Sequence, residues 1–136
     1  MPRGGFPALA ALAALVVAGC AVPEPSAAVG QGGFQPSYDG IETVLLQDDL
    51  VSFRVALQGA RDNADVEAYG RCAAAQYALI RGYGFARHIR TTVARTGPTW
   101  RGDAVYLISA ALPPGLRTID AEVTVRDCGA LGIPTI

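Results

Sequence analysis

Apolar and polar positions alternate along much of the chain beyond residue 41. In the run 50–59, Val51, Phe53, Val55 and Leu57 fall on one side and Ser52, Arg54, Ala56 and Gln58 on the other. A period of two marks a half-buried strand. The run 41–47 is also strand-like, and Asp48-Asp49 after it offers a tight turn. Such a turn sets Leu46 opposite Val51 and Val44 opposite Phe53, so that all four share one face of a β-hairpin. Then the period changes. Val66, Tyr69, Ala73, Tyr77 and Ile80 recur at three- and four-residue steps, the stripe of an amphipathic helix. Cys72, Gln76 and Leu79 border that stripe. Asn63 is the candidate N-cap, with Asp65 and Glu67 in the first turn. Gly82 or Gly84 is the stop. These signals predict a helix over 64–81. Gly70 inside it costs about 1 kcal/mol against alanine unless something packs close there.

More strand-like runs follow. Phe85, Arg87, Ile89, Thr91 and Val93 alternate with Ala86, His88, Arg90 and Thr92, until Thr96-Gly97-Pro98 breaks the pattern. Residues 103–111 are almost continuously apolar, which suits a strand buried on both faces. Pro113-Pro114-Gly115 is a turn signal. In 117–126, Ile119, Ala121, Val123 and Val125 alternate with Asp120, Glu122, Thr124 and Arg126, and Cys128 lies just beyond. The order β-β-α-β-β-β predicts an α+β domain over 41–136. Its sheet is mostly antiparallel, with one amphipathic helix packed on one face.

The beginning of the chain has a different character. After Arg3, residues 8–18 are wholly Ala, Leu and Val. That length fits the apolar core of a signal peptide and falls short of the ~20 residues a spanning helix needs. The run ends in Val17-Ala18-Gly19-Cys20, which resembles the lipobox of bacterial lipoproteins. Small residues at Ala18 and Gly19 suit a narrow protease site. The resemblance implies that residues 1–19 are a signal peptide and that Cys20 receives lipid, making the membrane the partner of the N-terminus. Residues 20–40 are rich in Pro and Gly and lack hydrophobic periodicity, so they read as a tether. A flexible spacer of that length holds its domain ~25 Å from the membrane. Ala21, rather than aspartate, follows the lipidated cysteine. In the Gram-negative sorting scheme this implies the outer membrane, facing the periplasm. The whole plan resembles small envelope lipoproteins of GC-rich Gram-negative bacteria, alphaproteobacteria in particular.

Assigning Cys20 to lipid leaves Cys72 and Cys128 from the chain's three cysteines. In an oxidising periplasm they are expected to pair, and two buried thiols are the alternative. A bridge would clip the middle of the helix to the end of the last strand and contribute roughly 4 kcal/mol before strain. The 11 basic residues are all arginine and face 12 acids, for a formal charge of −1. That balance implies neither nucleic acid nor an anionic membrane surface as a partner. His88, the single histidine, falls on the polar side of its run and reads as a surface residue. Neither a metal nor another cofactor is expected. No catalytic motif is present, and the expectation is a protein without enzymatic activity.

One window is less plain. From Glu67 to Asp103 no acid intervenes, while Arg71, Arg81, Arg87, Arg90, Arg95 and Arg101 lie among Tyr77, Tyr83, Phe85 and Trp100. Arginine beside aromatics suits recognition of anionic groups or a protein hot spot. Arg87, Arg90, Arg95, Trp100 and Arg101 are therefore the candidate binding residues, for an envelope protein or an anionic ligand. An ordinary solvated strand face is the competing reading. An envelope enzyme accessory, or a redox-sensitive sensor or assembly factor, is the alternative function.

Overall fold

Burial follows the alternation in the second run with one exception: Val51, Phe53, Val55 and Leu57 are at most 2% exposed, and so is Ser52 on the polar side. The computed structural model describes residues 34–112, 114, 115 and 117–136, with Gly4, Gly5 and Gly19. Val17, Ala18 and Cys20 of the lipobox, most of the tether, and Pro113 lie outside the described residues. The elements are β1 (Ser37–Gln47), β2 (Leu50–Gln58), α1 (Asn63–Ile80), β3 (Phe85–Thr96), β4 (Thr99–Ser109), β5 (Thr118–Asp120) and α2 (Ala121–Leu131). β1 begins inside the stretch that composition assigns to the tether. The strands form one sheet in the order β1-β2-β4-β3-β5, and every neighbouring pair is antiparallel. The fold is α+β, with a strand-dominated sheet and two helices.

β4 lies between β2 and β3, which explains its apolar run. Ala104, Val105, Tyr106 and Ile108 are all buried, on both faces of the sheet. The β1–β2 register differs from the one expected. A bulge between Leu45 and Gln47 sets Leu45 opposite Val51 and Thr43 opposite Phe53. Asp48 in the turn has φ +49. The register thus sets Val44 opposite Ser52 rather than Phe53, on the side away from Val51, and Leu45 and Leu46 at the end of this edge strand are 57% and 48% exposed.

α1 packs on β2, β3 and β4. Its N-cap is Asp62 rather than Asn63, with the Asp62 carboxylate accepting from the Ala64 amide at 2.9 Å. Val66, Tyr69 and Ala73 of the expected stripe are buried, whereas Ile80 is 60% exposed in the last turn. Two glycines let helix and sheet approach. A Cβ at Gly70 would stand 2.6 Å from the Ala104 Cβ, and one at Gly102 would stand 2.6 Å from the Val66 Cγ1. Phe53 meets the rings of Tyr77 and Tyr106 edge-on, at 5.5 and 6.3 Å. These contacts join the helix to the centre of the sheet.

The run 117–126 is not one strand. β5 spans only Thr118–Asp120, and the chain then turns into α2. The Asp120 carboxylate caps that helix, accepting from the Val123 amide at 3.1 Å. Gly132, with φ +70, closes it. Ala121 and Cys128 are the buried residues, and Val123 is 46% exposed. Cys72 and Cys128 are joined by a disulfide with Cα atoms 6.0 Å apart. The bridge thus ties helix to helix, rather than helix to strand.

Candidate functional site

The register of the four long strands decides which side chains share a face. Odd and even positions of β2 separate the sheet into two sides. Val51, Phe53, Val55 and Leu57 face α1. Ser52, Arg54 and Ala56 face the other way, where no described helix or strand packs, while Ser52 and its cross-strand partner Val105 are themselves only 2% and 3% exposed. Cross-strand pairing lays out rows on that open face. One row runs Glu42, Arg54, Asp103, Thr92. A second runs Gly40, Ala56, Arg101, Ala94, and a third Val44, Ser52, Val105, Arg90. A fourth runs Leu50, Leu107, Arg87, Thr118.

This layout sorts the charges. Arg54 lies between two acids and is 3.9 Å from Glu42. The Asp103 carboxylate accepts the hydroxyl of the buried Ser52. By contrast, the rows through Arg87, Arg90 and Arg101 contain no carboxylate, and none of these three arginines has an ion pair among the described residues. All three are exposed. The face therefore grades from acidic at the β1 edge to basic over β3. Small side chains at Gly40, Ala56 and Ala94 leave a groove of about 570 Å³, with Arg54, Arg101, Glu42 and Asp103 along its walls.

The candidate residues are not all brought together. Arg87, Arg90 and Arg101 share the open face. Arg95 and Trp100 oppose each other on the helix-facing side, beside the β3–β4 turn. The Arg95 guanidinium stacks 4.9 Å from the Trp100 ring, and its Nε donates to the Gly97 carbonyl at 3.0 Å. Trp100 packs on the cluster of Val55, Leu57, Val66 and Tyr69. The pair thus closes one end of the core.

His88 also differs from expectation. A bulge between His88 and Arg90 shifts the register by one residue, and a one-residue shift exchanges the faces of a strand. His88 consequently looks toward α1. Its ring lies 5.1 Å from that of Tyr106, and Nε2 is 2.8 Å from the Thr91 hydroxyl. Sequence reasoning missed Arg54, Glu42 and Asp103 as parts of the site. The alternation of β2 already placed Arg54 on the polar side. Nothing local in the apolar run of β4 marked Asp103 as its cross-strand neighbour.

Arg81 is occupied near the end of α1. It donates to the Tyr77 hydroxyl at 2.9 Å and lies 3.6 Å from Asp49. At the other end of α1, Arg61 grips Asp65 through Nε at 3.1 Å and Nη2 at 2.8 Å. That guanidinium, bonded to the carboxylate, holds Asp65 below the ordinary carboxylate pKa. The same guanidinium stacks 3.8 Å from the ring of Phe34, which fixes the segment leading into β1.

A model of the YNQ4 C-terminal domain family matches residues 38–132, nearly the whole of the folded part. The chain is also 34% identical over 87 residues to the uncharacterized 26.9 kDa protein in nqo8 5'region of Paracoccus denitrificans, an alphaproteobacterium. The match covers 64% of this chain and 34% of the relative, so the chain spans about a third of that relative's length. No solved structure matches the chain.

Proposed function

The chain belongs to the YNQ4 C-terminal domain family, and from that premise we propose that it is a lipid-anchored, non-catalytic binding protein of the bacterial envelope. Lipid on Cys20 holds it to the membrane, on the periplasmic side of the outer membrane. The open face of the sheet meets an acidic segment of another envelope protein. The observation that carries this reading is the set Arg87, Arg90 and Arg101, each exposed, on one face of the sheet and each in a row without a carboxylate. Arginine binds carboxylates bidentately and keeps its charge at any physiological pH. Exposed ion pairs contribute little each, so the charges act together and chiefly steer association.

Site-specific photocrosslinking in native envelopes tests the reading. A crosslinker at Thr92, on the open face, is expected to give a discrete adduct that raised salt weakens. One at Val123, on α2, is not. The triple variant Arg87→Gln, Arg90→Gln, Arg101→Gln is expected to abolish the Thr92 adduct. An adduct that survives this change, or one formed equally from Val123, rules the open face out.

A further inference from the structure

A second cavity, of about 230 Å³, lies on the opposite side of the sheet from those arginines, where α1 meets β3, β4 and the start of β5. Arg71 of α1, Tyr106 of β4, His88 of β3 and Arg117 ahead of β5 line it, with Glu67 one turn before Arg71. Tyr106 is 4% exposed, yet its hydroxyl has no hydrogen-bond partner among the described residues. The hydroxyl is not sealed in the core: among the described residues no buried side-chain polar atom lacks a partner, so this oxygen reaches the cavity. Burial pushes the Tyr106 phenol up to about 12, so it remains a proton donor at physiological pH. Neither Arg71 nor Arg117 has an ion pair among the described residues. Two guanidiniums thus face one carboxylate, that of Glu67, across a small cavity with an unused hydroxyl in its wall.

We propose that this cavity binds a phosphate group, held by Arg71, Arg117 and the Tyr106 hydroxyl beside the His88 ring. These donors come from three separate parts of the fold. A tetrahedral anion offers oxygens in several directions, whereas a carboxylate offers both of its oxygens in one plane. Guanidinium–phosphate bonds are charge-assisted and strong. The volume exceeds what the phosphate itself fills, so the group comes either as the free ion or as the head of a phosphate ester.

His88 reports on the site. Burial, and then the charge of Arg117, hold its pKa below the ordinary 6.5, while Glu67 pulls the other way. Arg71 and Tyr106 are its other charged or titratable neighbours, and Thr91 bonds the ring. A bound phosphate adds negative charge beside the ring, favours the imidazolium and raises the titration midpoint.

His88 is the only histidine, so its ring C–H resonances are unambiguous in the full-length protein. The experiment records them in a maltoside detergent, which carries no phosphate, as inorganic phosphate replaces chloride at constant ionic strength. A saturable shift and a higher midpoint are expected. Arg71→Gln, and separately Tyr106→Phe, which keeps the ring packing, are each expected to weaken binding about tenfold, the loss of one hydrogen bond to a charged group. Glycerol 3-phosphate in a parallel titration separates the sources: tighter binding than inorganic phosphate assigns the site to phosphate esters, and equal binding to the free ion. A shift that does not saturate, or wild-type affinity in both variants, overturns the proposal.

Discussion

At Gly70 two tendencies oppose each other. Alanine would gain ~1 kcal/mol of helix propensity there. Its Cβ, however, would stand 2.6 Å from the Ala104 Cβ, closer than carbon atoms pack. Either α1 or β4 must shift, and overpacking of a dense core costs roughly 1–3 kcal/mol. The clash should win. Gly70→Ala is expected to lower stability by up to about 2 kcal/mol net in urea unfolding, and Ala104→Gly added to it should recover part of the loss. A higher urea midpoint for the single variant would mean that α1 lifts from the sheet at no cost. The cost of a mid-helix glycine could be read in the sequence, but the atom opposite it could not. The same holds at His88. Its strand was legible from alternation, yet a single bulge carried it to the other face, and no local signal announces a bulge in a run of arginines and threonines.

Among the elements, α2 shows how two periods can share one sequence. Ile119, Ala121, Val123 and Val125 fit a strand, while Ala121, Val125 and Cys128 fit a helical stripe. The caps decide the outcome: Asp120 accepts from the Val123 amide and Gly132 takes up φ +70. A short β5 meets the edge of β3, and the chain then leaves the sheet. The order of the other elements was legible because hairpin turns and a long amphipathic stripe are strong local signals, and their registers were not. The principal neighbour of α2 is α1, and the disulfide joins the two across a sequence separation of 56. In the chain-entropy model a loop of that size is worth about 4 kcal/mol. Reduction should therefore act unevenly. Amide exchange is expected to quicken first in residues 121–131, while β2 and β4 keep their protection until global unfolding. Uniform loss of protection across sheet and helices would show that α2 is not a separate unit of stability.

For the whole molecule, the antiparallel sheet places both helices on one side, and that choice makes the site. Alternation disclosed the class of fold and the polar side of β2. The grouping of charges needed cross-strand pairing, which joins residues as distant as Glu42 and Asp103. Arg95 and Trp100 looked like members of the patch because proximity in sequence ignores which face a side chain occupies. Attachment to the membrane is a separate matter. Among the described residues no helix is long and apolar enough to cross a bilayer, so the proposed anchor rests on the first twenty residues. The alternatives to a lipid anchor are an ordinary signal peptide with a chance cysteine and an uncleaved apolar segment, and they differ from it chemically. An uncleaved apolar segment leaves Met1 on the chain and Cys20 as a thiol. Lipoprotein processing removes residues 1–19 and leaves Cys20 carrying a thioether-linked diacylglyceryl group. Each buried methylene of that group contributes about 0.8 kcal/mol, so two or three acyl chains hold firmly where one is marginal. Mass spectrometry of protein extracted from its native membrane is expected to find a chain beginning at lipidated Cys20, with palmitate label lost in Cys20→Ala. A chain that begins at Met1, or an unmodified Cys20 thiol on membrane-bound protein, would exclude the lipid anchor.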